Sequence, residues 1–191
     1  MTTRRNFLAL GFAPVLGNVF ATDAIAKGKS LGPAPIPPGY LHVARIKRVP
    51  AKVLYAVALQ ESKMRFGNIA LPYPWTLNIQ GAPKRFDTYR AAFVVLVDCL
   101  RMGVLLVDIG LFQICWFYHR SKLHSPARAL NPYFNMEVAA ELLQSHFKKS
   151  GSWFRAVANY HNADPVIGYP YADSVFRHLA RIPSIAGGYH G

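Results

Sequence analysis

Glu61 is the residue of this chain whose position best fits acid–base chemistry. It lies in segment 50–62, which opens on Pro50 and is predicted to be a helix with proline at its first position. At about 100° per residue, Glu61 shares the apolar stripe of Leu54 and Val57. Burial there and the negative end of the helix dipole both raise the pKa of the carboxyl. Such a carboxyl can act as a general acid near neutral pH, whereas a glutamate that merely ends a helix in solvent has no such role.

The net charge of the chain indicates what kind of partner it binds. The chain has 191 residues, enough for one domain with a core, and 22 Lys and Arg against 9 Asp and Glu give a formal charge of +13. This excess indicates a polyanionic partner, either nucleic acid, anionic lipid or an acidic cell-wall polymer. The basic residues are scattered and form no dense block, so a nucleic-acid partner is not expected.

The two cysteines allow two interpretations. Cys99 and Cys115 could form one disulfide in an oxidising compartment, or they could be two buried apolar thiols, which the residue type favours. Neither they nor His161 have partners spaced for a zinc site. The sequence therefore predicts neither a metal nor another cofactor.

The first 26 residues are predicted to be an export signal. Arg4 and Arg5 precede an apolar stretch that is too short to span a bilayer comfortably, and a small-residue cleavage site ends at Ala26. The arginine pair also resembles a twin-arginine signal, and the alternative is an uncleaved amphipathic anchor. We expect a periplasmic or exported protein, by either route, with no stable membrane span after removal of the signal.

The rest of the chain is predicted to be one mainly α domain with at most a small β element. Residues 27–40 are proline-rich and read as a linker, 41–182 as the folded domain and 183–191 as a loose tail. Helices are predicted beyond 50–62 where polar caps, periodic apolar residues and glycine stops recur. They cover about 88–102, 136–149, 153–160 and 171–182, with extended segments at 75–79 and 104–109.

Four motifs follow one another along this domain. They are Ala58-Leu59-Gln60-Glu61-Ser62, Asp108-Ile109-Gly110-Leu111-Phe112-Gln113-Ile114, Leu130-Asn131-Pro132 followed by Asn135, and Ala158-Asn159-Tyr160-His161-Asn162-Ala163. In this order and spacing they resemble the lytic transglycosylases of the lysozyme superfamily. The resemblance implies an α+β lysozyme-like fold with its active-site cleft at the end of the Glu61 helix. The stretch 74–78 resembles the specialised branch that accompanies secretion or conjugation machines.

The resemblance also implies a reaction and a set of site residues. Glu61 would protonate the β-1,4 bond between N-acetylmuramic acid and N-acetylglucosamine in peptidoglycan, and then act as the base that closes a 1,6-anhydro ring. Ser62 would bind a substrate carbonyl or orient Glu61, Gln113 would hold the sugar, and Tyr160 would steady the N-acetyl group. The chain departs from the family pattern after Tyr160, where His161 stands in place of the usual asparagine. We expect His161 to contact substrate or to pack against its neighbours. Asn162 could supply the amide one position later. Two further departures are Phe112, at a position usually held by methionine, and Cys115, at a position usually held by a small polar residue.

Two other functions stay open on the sequence alone. A lysozyme- or chitinase-like hydrolase on the same fold would use Asp108 or Asp87 to position water, since ordinary glycosidases need two carboxylates. An exported basic protein could instead bind a polyanion without catalysis. The mass of the product separates the first two functions, and a Glu61→Gln variant tests the third.

Overall fold

The computed structural model describes residues 35–183 of the chain. The predicted export signal, most of the predicted linker and nearly all of the predicted tail lie outside these described residues.

Helices make up most of the described chain, which confirms the prediction of a mainly α fold. In residues 35–183 they are α1 Pro38–Lys47, α2 Ala51–Ser62, α3 Tyr89–Arg101, α4 Trp116–Leu123, α5 Pro126–Leu130, α6 Pro132–Ser150, α7 Trp153–His161 and α8 Pro165–Arg181.

Local sequence explains where several helices begin and end. Thr88 caps α3 by accepting a hydrogen bond from the Ala91 N–H, at 3.2 Å, and Asn131, Ser152 and Asp164 cap α6, α7 and α8 in the same way. Gly151 ends α6 with a left-handed backbone, the conformation that glycine adopts without strain. The helices that these caps separate pack on one another in succession, α6 on α7 and α7 on α8.

The β structure is small and antiparallel. Strands β1 Lys63–Phe66 and β2 Ile69–Pro72 form a hairpin directly after α2. The second sheet has the strand order β4-β3-β5-β6, formed by β3 Thr76–Ile79, β4 Ala82–Arg85, β5 Val107–Ile109 and β6 Ile114–Cys115. Leu77 of β3 lies opposite Ile109 of β5, and both side chains are fully buried. This register places the polar residues Asn78 and Asp108 opposite each other on the same sheet.

Helix α2 is the centre of the core. Residues 54–58 are fully buried, and α1, α8, the β1–β2 hairpin and the turn after β5 all pack around the helix. Burial on nearly every side accounts for the near-continuous apolar sequence of α2. Gln60 and Glu61, near the C-terminal end, are partly exposed, so that Glu61 emerges from the core where the helix ends.

The structure corrects three predicted element boundaries. Helix α1 starts at Pro38, inside the predicted linker, because Ile36 and Tyr40 are buried in the core. Helix α6 starts at Pro132, so that Asn135 lies inside it and not before it. Helix α8 starts at Pro165, where the sequence predicted residue 171, and it continues through Pro170.

Both cysteines are free thiols in the structure. Cys99 is buried on α3, and Cys115 is partly exposed on β6. Cys99 thus matches the interpretation as a buried apolar thiol, whereas Cys115 is only partly buried. None of the helices within residues 35–183 combines the length and the hydropathy needed to cross a bilayer.

Candidate active site

A cleft of about 670 Å³ opens where α2 ends, and it contains most of the predicted site residues. Glu61, Gln113, Tyr160 and His161 line it, together with Asp108. The walls come from the β3–β4 sheet, from the turn after β5 and from the ends of α2 and α7. The cleft therefore joins motifs that are up to a hundred residues apart in the chain.

Glu61 has the environment of a proton-holding acid. Tyr171 of α8 donates its hydroxyl hydrogen to Glu61 Oε1. Burial raises the pKa of Glu61 to about 7, the hydrogen bond from Tyr171 opposes the shift, and the charge of Asp108 adds to it. At neutral pH the carboxyl is thus divided between its two protonation states, which suits a group that must first donate and then accept a proton.

The turn opposite Glu61 is held by buried hydrogen bonds from Asn135. Its side-chain Nδ2 donates to the carbonyls of Ile109, at 2.9 Å, and Ala129, at 3.0 Å, while its Oδ1 accepts from the Phe112 N–H at 3.0 Å. Gly110 has φ +78°, and a Cβ atom there would lie 3.0 Å from the Asn135 amide. Glycine is therefore required at this position, both for its backbone angle and for the close approach of Asn135.

Ser62 faces the turn and not the cleft. Its side chain is fully buried, its Oγ lies 2.7 Å from the Leu111 carbonyl and 3.2 Å from the Ala58 carbonyl, and it accepts from the Tyr73 N–H at 3.3 Å. The predicted contact with a substrate carbonyl is not available to a side chain buried in this way. The hydroxyl instead fixes the turn relative to the end of α2.

Gln113 and Tyr160 both form hydrogen bonds to carbonyls of the same turn. Gln113 has a left-handed backbone with φ 45°, and its Nε2 donates to the carbonyls of Gly110, at 2.8 Å, and Thr76, at 3.2 Å. These bonds use the amide nitrogen and leave the side-chain oxygen to accept from a ligand. Tyr160 donates its hydroxyl hydrogen to the Phe112 carbonyl at 2.7 Å, while its ring lines the cleft.

His161 and Asn162 have different surroundings. The His161 ring stacks on Tyr171, with centroids 4.3 Å apart and planes 7° apart, and it lines the cleft beside Glu61. Burial lowers the pKa of His161, although the charge of Asp108 opposes this shift. Asn162 is absent from the cleft wall, and its Oδ1 accepts from the Asp164 N–H at 2.8 Å. The structure thus gives no support to Asn162 as the amide that faces the sugar.

Asp108 is the second carboxyl of the cleft. Its Oδ2 accepts from Asn78 Nδ2 at 3.0 Å across the β3–β5 pair. Burial raises its pKa, while hydrogen bonds from Cys115 and Asn78 oppose the shift. Asp87, the other carboxyl considered from the sequence, is exposed beside the start of α3 and takes no part in the cleft.

The family described as "Transglycosylase SLT domain" matches residues 41–167, about two thirds of the chain. The chain belongs to this transglycosylase family. No curated protein and no solved structure matches it. The recognition made from the four motifs is thereby confirmed at the level of the family and its lysozyme-like fold. Membership assigns the chain to a family of transglycosylases, for which peptidoglycan is the implied substrate.

The SLT match includes all four motifs but ends before Tyr171. The sequence alone had placed this tyrosine on the closing helix without a role, and it also left Asn78 and Asn135 out of the site. Tyr171 is 110 positions from Glu61 along the chain, so that only the packing of α8 on α2 brings the two together. The sequence places Asn135 before the predicted helix 136–149, so its burial inside α6, which requires hydrogen-bond partners for the amide, is seen only in the structure.

Proposed function

We propose that this SLT-family protein is a lytic transglycosylase that cleaves the β-1,4 bond between N-acetylmuramic acid and N-acetylglucosamine and leaves a 1,6-anhydro product. The observation that carries the proposal is the environment of the Glu61 carboxyl. This group lies in a cleft, with a pKa near 7 and with a tyrosine hydroxyl fixed against one oxygen. One group can thus serve as acid and then as base at the same pH.

The first step breaks the glycosidic bond. Glu61 gives its proton to the glycosidic oxygen, the bond from this oxygen to the anomeric carbon breaks, and the positive charge that develops is stabilised by the N-acetyl oxygen of the same sugar. Tyr171 then donates to the glutamate anion, and this hydrogen bond favours the charged form. Tyr160 and His161 line the cleft beside Glu61, where they would enclose the N-acetyl group.

The second step returns the proton. The Glu61 carboxylate takes the proton of the muramic acid 6-hydroxyl, and the 6-oxygen bonds to the anomeric carbon. Glu61 is protonated again, and no water is consumed. Gln113 would hold the sugar through its free side-chain oxygen during both steps, and Ser62 acts through the turn that carries Gln113.

A hydrolase is the second candidate, and Asp108 is the observation that favours it. The carboxyl lies in the same cleft and close enough to raise the pKa of Glu61. A carboxylate so placed could position a water molecule against the anomeric carbon, as in two-carboxylate glycosidases. The asparagine and thiol hydrogen bonds of Asp108 fit equally well with a role in shaping the cleft.

Digestion of purified peptidoglycan with mass analysis of the fragments tests the proposal. A transglycosylase gives sugar ends lighter by one water molecule than the reducing ends that a hydrolase gives. Glu61→Gln should abolish turnover while wall binding persists. Reducing ends would establish the hydrolase, and binding without turnover by the unchanged protein would establish a polyanion-binding protein instead.

The cellular setting is part of the same proposal. The signal-like residues 1–26 support export to the periplasm, and replacing Arg4 and Arg5 by lysine should stop export only if the twin-arginine route is used. The stretch 74–78 supports recruitment to a secretion or conjugation machine. Co-purification with components of such a machine tests this part independently of turnover.

A further inference from the structure

Four cationic side chains and one histidine lie next to the cleft, and we call them the cationic rim. They are Lys63, Arg85, Arg177, His178 and Arg181. Lys63 Nζ lies 3.1 Å from His178 Nε2, and Arg85 Nη2 donates to the Lys63 carbonyl at 3.2 Å. Arg177 and Arg181 are close enough to act on the charge state of His178. The rim thus joins the β1–β2 hairpin, β4 and the C-terminal half of α8.

The rim is continuous with the active site. Lys63 follows Glu61 by two residues, and Arg85 itself lines the cleft. The rim therefore meets the cleft at Arg85.

Within residues 35–183 none of the rim side chains forms a salt bridge, and the one acidic residue of α8 is Asp173, one turn before Arg177. The salt bridges of that part of the chain join Lys47 and Lys122 to Glu137 and Glu141, away from the rim. Burial, and after it the charges of Lys63, Arg181 and Arg177, lower the pKa of His178 to about 4. Like charges gathered without a salt-bridge partner create a positive potential that favours an anion from outside.

We propose that the cationic rim binds the carboxylates of the peptide stems on the glycan strand, so that the enzyme selects stem-bearing over bare glycan. This inference rests on the proposed function, because it takes the peptidoglycan strand as the occupant of the cleft. In the intact strand the lactyl carboxyl of N-acetylmuramic acid is bound in an amide to a short peptide with free carboxylates, so the negative charges of the strand lie on the stems. Guanidinium groups hold carboxylates through two parallel hydrogen bonds, which suits the three arginines of the rim.

Binding of the full chain to purified peptidoglycan tests the inference. Every protein carries Glu61→Gln, so that the wall is not digested during the measurement. The parent carries only this substitution. The test variant, which we call the rim variant, adds Arg177→Gln and Arg181→Gln. The control adds Arg101→Gln and Lys149→Gln, two exposed basic residues in the last turns of α3 and α6 that also remove two charges. Each protein is measured on intact wall and on wall whose stems an amidase has removed and whose exposed lactyl carboxylates are then converted to methyl amides. Thermal unfolding checks that each variant is folded.

The rim variant should bind intact wall about 3- to 10-fold more weakly at low salt, the scale of two lost exposed ion pairs. It should match the parent on stem-free wall, and the difference should shrink as salt is added. The control should match the parent on both. Equal weakening on intact and stem-free wall, or none on either, would overturn the stem assignment and leave the proposed reaction standing. A parent that binds neither wall would overturn the proposed function as well.

Discussion

Replacing Glu61 by glutamine should stabilise the protein above pH 7 while it abolishes turnover. Burial raises the pKa of Glu61 from 4.5 to about 7, so between these values the folded state binds a proton that the unfolded state has lost. The unfolding free energy that this group contributes is therefore complete below about pH 4.5 and is lost as the pH rises to about 7. Glutamine stays neutral at every pH and can still accept the hydrogen bond from Tyr171.

The size of the effect follows from the shift. One pKa unit corresponds to about 1.4 kcal/mol, so the full shift corresponds to about 3 kcal/mol of unfolding free energy. Glu61 is partly exposed at the cleft, and solvent screening reduces this to about 2 kcal/mol. For a domain of this size, such a difference raises the melting temperature by roughly 4–8 °C.

Denaturant unfolding at pH 4 and pH 8 measures this difference. The Glu61→Gln and unchanged proteins should have similar stability at pH 4, and the variant should be more stable at pH 8. Asp98→Asn, which removes an exposed carboxylate from α3, is the control for the loss of one negative charge. A Glu61→Gln protein that is no more stable than the unchanged one at pH 8 would refute the assignment of a buried, proton-holding acid.

Three further perturbations test the site. Tyr171→Phe removes a hydrogen bond that lowers the pKa of Glu61, so the alkaline limb of the pH–rate profile should move to higher pH. Asn135→Ala leaves a buried N–H and two carbonyls without partners, and it should cost roughly 3 kcal/mol of unfolding free energy in denaturant titrations. Asp108→Asn should keep most of the turnover and lower the pKa of Glu61, because a like charge is lost, whereas the exposed Asp87→Asn should change neither. A folded but inactive Asp108→Asn variant would favour the hydrolase.

The sequence predicts the helices whose local signals agree with their packing. Pro50 marks the start of α2, and Gly151 marks the end of α6. Helix α1 escaped prediction because its prolines indicate a linker, while burial of Ile36 and Tyr40 decides the fold. At the start of α8, Gly168 and Pro170 read as helix breakers. Gly168 is instead a packing residue, since a Cβ atom there would lie 2.5 Å from the Asn162 carbonyl of the preceding turn.

The role of a site residue can be predicted from the sequence when it depends on the residue's place in its own helix. It cannot be predicted when it depends on a contact with a distant part of the chain. The place of Glu61 at the end of an apolar helix is local information, and the sequence was enough to predict a raised pKa. The resemblance of the motifs predicts that Ser62 contacts substrate or orients Glu61 and that Asn162 supplies an amide to the sugar. The direction of each side chain, however, depends on the turn against which it packs. Only the tertiary structure carries that information.

The four motifs form one physical unit, because the first, third and fourth all form hydrogen bonds to the turn of the second. Ser62 of the first motif bonds the Leu111 carbonyl, Asn135 after the third bonds the Phe112 N–H, and Tyr160 of the fourth bonds the Phe112 carbonyl. All of these bonds converge on the turn that presents Gln113 to the cleft. Since Ser62 adjoins Glu61 on α2, the same bonds set the position of the turn relative to the acid. A short motif that would be common by itself thus becomes informative in this combination, because each motif supplies a contact that the others require.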